Sequence, residues 1–443
     1  MQILWLNANL LLPLDKGGKL RTWHLMRHLA RSHDITYLSF VEPGVARDAL
    51  DGMREVCRDV VTVPRADVAK GSLAFYADVA RYLAAPAPYA VAKYKSPRYA
   101  ARARELLASA RFDLVVCDFL VPAINLPDAL PCPAVLFTHN VEAEIWRRHA
   151  ETADGRLRRF LMRSQWRRMQ TFERHTLDRF GLVLTVSEAD SETFARLYGP
   201  RIASRTFVVK TGVETSYFAP ENRAATQPRH LVFTGSMDWI PNEDAMLHFV
   251  GEILPLIRRA EPSVTLSIVG RAPTPAVQAL AQRAGIQVTG RVDDVRPHIA
   301  EAAVYVVPIR IGGGTRLKIF EAMAMGKAVV STTVGAEGLP VTPGRDLIVE
   351  DGPQRFADAV VQLLRDDARR AALGQRARAM VVGAYDWAAV AGDLERALMS
   401  FADAGASLGR AASSPSSRAA TDRPKPRQSD PSVPLPARAH GEL

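Results

Sequence analysis

Short apolar runs rich in Val, Ile and Leu alternate with longer helix-like stretches along almost the whole chain. In the first half the runs are Ile3–Asn7, Ile35–Phe40, Val60–Val63, Leu114–Asp118, Val135–Thr138, Leu182–Val186 and Phe207–Lys210. In the second they are Leu231–Thr234, Thr265–Val269, Ile286–Thr289, Val304–Val307, Ala328–Thr332 and Leu347–Val349. Side chains alternate between the two faces of a strand, so a run that is apolar throughout is buried on both. Such strands with helices between them predict parallel sheets covered on either side, an α/β fold. A chain of 443 residues exceeds one ordinary core, and two doubly wound, Rossmann-like domains are the simplest assembly.

The boundary falls where the text turns loop-like, GVETSYFAPENRAATQPR, with two prolines and many polar residues. We therefore expect a first domain over 1–210, a linker over 211–229 and a second domain over 230–385, its first strand opening at His230. A helix over 386–401 is expected to pack back on the first domain. From Ala402 to 443, Ala, Ser, Pro and Arg dominate without periodicity, which reads as a disordered tail. The apolar start, MQILWLNANLLLPLD, lacks a basic lead and a small-residue cleavage site, and reads as a buried strand rather than a signal peptide. Nor is there a run of apolar residues long enough for a membrane span. Cys57, Cys117 and Cys132 show no metal-binding spacing and are expected to be reduced thiols. A net charge of +10 favours an anionic partner: nucleic acid, a membrane surface or a phosphorylated substrate.

One segment narrows this choice. Residues 308–339 read PIRIGGGTRLKIFEAMAMGKAVVSTTVGAEGL. A buried strand ends at Pro308, and three glycines lead into a helix-like run with Arg316 and Lys318 in its first turn and Glu321 one turn on. Glycines admit an anion close to the backbone, and a helix N-terminus offers free N–H groups. Basic side chains in a first turn oppose the helix dipole, so a bound anion explains Arg316 and Lys318 better than helix stability does. A diphosphate is the natural candidate, with Glu321 in reach of two adjacent ribose hydroxyls.

The string GGGTRLKIFEAMAMGKAVVST closely resembles the C-terminal signature of the retaining family 4 glycosyltransferases of GT-B fold. Other segments are similar to the same family: DKGGK (Asp15–Lys19), FTHNVEAE (Phe137–Glu144), TVSEAD (Thr185–Asp190), TGVE (Thr211–Glu214), TGSMDW (Thr234–Trp239), IVG (Ile268–Gly270) and TGRVDD (Thr289–Asp294). The resemblance implies two Rossmann-like domains about a central cleft, a nucleotide-sugar donor held by the second and an acceptor by the first. It also implies transfer with retention, no metal and no cofactor, the donor being a substrate. It places His139 beside a donor-sugar hydroxyl, and Gly17 and Gly18 against the diphosphate or acceptor. Gly235, Gly313, Gly314 and Thr315 fall on its donor segments. Gly290 and Val292 would meet the base mainly through backbone, and Glu337 and Gly338 would border phosphate or ribose. Two departures stand out. Gly313 occupies the position of a donor-contacting Glu, and TGSMDWIPNED lacks an Arg/Lys pair, so diphosphate binding rests on Arg316 and Lys318, with Arg271 in support.

Residues 156–174, RLRRFLMRSQWRRMQTFER, carry seven Arg against one acid. Arg156, Arg159, Arg163, Arg167 and Arg174 share one arc of a helical wheel, beside Leu157, Phe160, Leu161 and Phe172. This fits an interfacial helix on an anionic bilayer and equally a surface helix packed on its own domain. No nucleic-acid-binding motif accompanies it, so nucleic acid is not an expected partner. The expectation is a cytoplasmic hexosyltransferase, using a UDP- or GDP-sugar and a glycan or lipid-linked acceptor, at the inner face of the membrane. Its alternatives are an epimerase or phosphorylase of the same fold, or a non-catalytic nucleotide-sugar binder.

Overall fold

The computed structural model describes residues 1–413, apart from 15–16, 45–46, 67–71, 74–77, 79–80, 83–84, 152, 154, 221–225 and 312–316. The first sheet contains β1 (Gln2–Leu6), β2 (Asp34–Val41), β3 (Asp59–Pro64), β4 (Leu114–Asp118), β5 (Ala134–Phe137), β6 (Leu182–Thr185) and β7 (Thr206–Val208), in the order β3-β2-β1-β4-β5-β6-β7. The second contains β8 (Gln227–Thr234), β9 (Thr265–Val269), β10 (Ile286–Val288), β11 (Ala302–Val307), β12 (Ala328–Ser331) and β13 (Ile348–Val349), in the order β10-β9-β8-β11-β12-β13. Every strand pair is parallel. In each sheet the order reverses beside the first strand, between β1 and β4 and between β8 and β11. Crevices open there, outside the carboxyl ends of the strands.

Burial on both faces explains the apolar runs. Ile3 and Trp5 enter one core of the first sheet, while Leu4 and Leu6 enter the other. Every residue of β4 and of β11 is buried. The expected strands form where the runs place them to within two residues, apart from one larger shift. β8 opens at Gln227 rather than His230, because Gln227 pairs with Ala302 across a register irregularity between Ala302 and Val304.

Five helices matter for the site: α1 (Gly17–Leu29), α2 (Glu142–Glu151), α3 (Arg156–Arg179), α4 (Leu317–Ala324) and α5 (Trp387–Ser413). α5 lies against α1, and Trp387, Val390, Leu394 and Leu398 join the core of the first sheet. It runs to Ser413, so the unstructured tail expected from Ala402 is corrected over that stretch. Ala402 is buried, Gly405 abuts Pro133, and the Ala-rich text to 413 has high helix propensity. The rest of the expected tail, 414–443, lies outside the described residues.

The chain crosses between the sheets twice, side by side. Val213 N–H donates to Tyr385 O at 2.7 Å, and Trp387 N–H to Val213 O at 3.3 Å. A Cβ on Gly212 would stand 2.5 Å from the Trp387 ring. His24 of α1 stacks on that ring at 5.1 Å.

Among the described residues no helix is long and apolar enough to cross a membrane. All three cysteines are free thiols.

Candidate active site

The site is built around Asp118, the last residue of β4, whose side chain has no solvent exposure. Its Oδ2 accepts from Trp5 Nε1 at 3.2 Å, Asn7 Nδ2 at 2.7 Å and Thr22 Oγ1 at 2.8 Å. Its Oδ1 meets His139 Nε2 at 2.7 Å. A carboxylate facing four donors is the acceptor in each bond, so His139 carries its proton on Nε2. Burial lowers the His139 pKa, with Asp118 opposing, which favours the neutral imidazole. Its Nδ1 lone pair therefore accepts, here from Arg21 Nη1 at 3.1 Å.

Packing fixes the ring as firmly as the hydrogen bonds do. Phe119 stacks on His139 with centroids 3.9 Å apart, and Phe137 lies at 4.4 Å. Phe119 itself holds φ at 67°, a conformation costly for a bulky residue and met mostly at functional sites. A Cβ on Gly18 would fall 2.6 Å from the Phe119 ring, so a side chain here would push that ring from its place against His139. Gly17 has open space instead.

These groups open onto a cleft of about 1030 Å³. Asn7, Gly17, Gly18, Arg21, His139 and Asp190 line it from the first half, and Leu317, Glu337 and Gly338 from the second. The structure thus brings Gly17, Gly18, His139, Glu337 and Gly338 together.

Lys318 and Gly235 meet beside this cleft. Lys318 Nζ donates to Asn242 Oδ1 at 2.8 Å, lies 4.2 Å above the Phe233 ring, and sits 2.6 Å from where a Gly235 Cβ would be. Gly235 begins a floor of glycines at the ends of β8, β9 and β10. A Cβ on Gly270 would fall 1.7 Å from Gly235 O, and Gly270 N–H donates to Gly290 O at 3.2 Å. Glu321 lies one turn beyond Lys318 on α4; burial pushes its pKa up to about 7, with Lys318 opposing. Gly290, Arg271 and Val292 do not line the cleft beside His139. Arg271 is exposed, and Val292 packs toward the core of the second sheet. Gly313, Gly314, Thr315 and Arg316 lie outside the described residues. Among the described residues no group of three or more His, Cys, Asp or Glu is placed to hold a metal ion.

Sequence reasoning missed Arg21, Asn7, Phe119 and the role of Asp118. Asp118 gave one signal, a charge closing the apolar run LVVCD. Arg21 gave none. It also missed Glu173 of α3, which accepts from the backbone N–H groups of Glu142 at 2.8 Å and Ala143 at 3.3 Å and from Tyr198 Oη at 2.6 Å. Glu173 thereby caps α2, the helix that follows His139.

α3 divides in two. Gln165, Met169, Glu173, Thr176 and Leu177 are buried, and Phe172 packs on the core. At the other end Leu157 is 72% and Phe160 69% exposed, among the exposed Arg156, Arg158, Arg159 and Arg163.

Residues 16–217 match a family model described as Glycosyltransferase Family 4, and residues 228–366 match one described as Glycosyl transferases group 1. The chain is 29% identical, over 233 residues, to the GDP-mannose-dependent alpha-(1-6)-phosphatidylinositol monomannoside mannosyltransferase of Mycobacterium tuberculosis. That match covers 48% of this chain and 60% of the relative, less than two thirds of its length. Among solved structures, Anabaena HepE in complex with UDP superposes with a TM-score of 0.61 at 14% identity, over 90% of this chain and 100% of HepE. Sucrose-phosphate synthase from Thermosynechococcus elongatus gives 0.62 at 15% identity, over 90% of this chain and 99% of that one. These likenesses, with two parallel doubly wound sheets meeting at a cleft, establish the GT-B fold. With a family match on each half of the molecule, the chain belongs to the family 4 glycosyltransferases.

Proposed function

We propose that the chain is a retaining, metal-independent hexosyltransferase that moves a sugar from a UDP- or GDP-sugar to a glycan or lipid-linked acceptor of the cell envelope or an exopolysaccharide. The observation that carries this reading is the cleft itself. The first half presents the glycine loop and a neutral, Asp118-held His139, and the second presents Glu337, Gly338 and the start of α4. Lys318, with Arg316 and Arg271, would bind the diphosphate, and Glu321 the ribose. Gly313, Gly314 and Thr315 would approach the phosphates through backbone, and Gly235, Gly290 and Val292 would border the nucleotide. His139 Nδ1 would accept from a sugar hydroxyl. In the reaction the acceptor oxygen forms its bond to the anomeric carbon as the bond to the diphosphate breaks. The hydroxyl proton passes to the leaving phosphate, which cations stabilise in place of a metal. Domain closure about the paired crossings would exclude water.

Two likenesses support a nucleotide-sugar donor without choosing its base: a GDP-mannose-dependent relative and a neighbour bound to UDP. The exposed Leu157 and Phe160 among arginines support an anionic membrane surface as the place where a lipid-linked acceptor is met. The test incubates the folded chain with GDP-mannose, UDP-glucose and other nucleotide sugars, each with lipid and glycan acceptors. Transfer with retained anomeric configuration is expected. Absence of both transfer and donor hydrolysis across the panel contradicts the reading, and donor conversion without acceptor replaces it with an epimerase.

A further inference from the structure

Arg21 lies on the cleft wall, one turn into α1, in an environment that is costly for a cation. Nη1 reaches His139 Nδ1 at 3.1 Å and Nη2 reaches Thr211 Oγ1 at 2.5 Å, both neutral acceptors. Nε is buried and makes no hydrogen bond. Among the described residues no carboxylate stands within ion-pair distance of the guanidinium. Asp118 and Asp190 act on it only through space, and burial pulls its pKa down to about 10. A half-buried guanidinium that pairs with no carboxylate is held at a cost, so an anion in the cleft is the missing partner. The planar guanidinium fork matches phosphate oxygens two at a time. Gly17 beside it, and Gly338 across the cleft, leave room for such a group.

We propose that Arg21 is a phosphate-binding residue on the first-half wall of the cleft, distinct from Lys318 of α4. On binding, Arg21 turns from His139 to the phosphate and frees the Nδ1 lone pair for a hydroxyl of the same ligand. The assignment rests on the glycosyltransferase reading for the source of the phosphate: the donor diphosphate or a phosphorylated acceptor.

The test is calorimetric titration of the full chain, as wild type, Arg21→Gln and Arg21→Lys, with GDP, UDP, inorganic pyrophosphate and glycerol 3-phosphate. Arg21→Gln is expected to weaken phosphate binding about 10- to 100-fold, the range of a charge-assisted contact. Loss on GDP, UDP and pyrophosphate assigns the donor diphosphate. Loss confined to glycerol 3-phosphate assigns an acceptor phosphate. If wild type binds GDP or UDP and Arg21→Gln binds all four probes equally well, the proposal is overturned and the transferase reading stands. If wild type binds neither nucleotide, that reading falls, while the pyrophosphate and glycerol 3-phosphate titrations still decide Arg21. Should the glutamine variant not fold, Arg21→Lys decides. It keeps the charge but loses the fork, so an affinity equal to wild type overturns the proposal.

Discussion

Two buried carboxylates hold the first half of the site, and they do so differently. Asp118 gathers donors from β1 and the loop after it, α1 and the loop after β5, contacts spanning 21 to 113 residues of sequence. That reach explains why the sequence displays His139 but conceals what orients it. A lone Asp at the end of an apolar run carries no trace of Trp5, Asn7 or Thr22. Arg21 is hidden for the same reason, because its partners His139 and Thr211 come from other elements. Glu173 is buried against the N-terminus of α2, and desolvation raises its pKa to about 7. Its folded pKa lies above the usual 4.5, so its contribution to stability is full below pH 4.5 and is lost as pH rises towards 7. Glu173→Gln should remove that dependence. In chemical denaturation the variant should lose less stability than wild type between pH 4.5 and 7, by about 3 kcal/mol at most. An unchanged pH slope would show that Glu173 does not titrate in this window.

Among elements, the strands were the most legible, because burial on both faces leaves an unbroken apolar run. α3 was legible as an amphipathic basic helix, but not in where it leaves the domain. A helical wheel groups Leu157, Phe160, Leu161 and Phe172 on one side. The helix extends beyond the surface it packs on, so Phe172 is covered while Leu157 and Phe160 are not. If that end meets an anionic bilayer, the wild-type chain should sediment with vesicles containing phosphatidylglycerol. Leu157→Glu with Phe160→Glu should then weaken binding by at least about tenfold, given the usual gain from burying two large apolar side chains, and leave thermal stability unchanged. Equal sedimentation of both proteins removes the bilayer from the account. The end of α5 is hidden because Ala and Ser suit a helix and an unstructured tail alike. Pro415 is the first proline after Trp387, and the text before it is free to continue as helix.

At the scale of the molecule, two sheets with the same strand reversal meet at a cleft, and two adjacent crossings at Val213 and Asp386 join them. The two-domain α/β arrangement follows from the run pattern. The membership of the cleft does not, because strand order rather than sequence order decides which loops become neighbours. Glu337 and Gly338 therefore reach the cleft with His139, whereas Gly290 and Arg271 border other strand ends. Lys318 lies near the cleft, held by Asn242 over the end of β8, where the glycine floor would admit a diphosphate. Calorimetric titration of GDP and UDP into the wild-type chain and Lys318→Ala tests that central claim most directly. The account predicts that wild type binds one of the two nucleotides and that the alanine variant binds it at least about tenfold more weakly, the loss of one charge-assisted contact. Folded wild type that binds neither nucleotide, or a variant that binds as tightly as wild type, would contradict it.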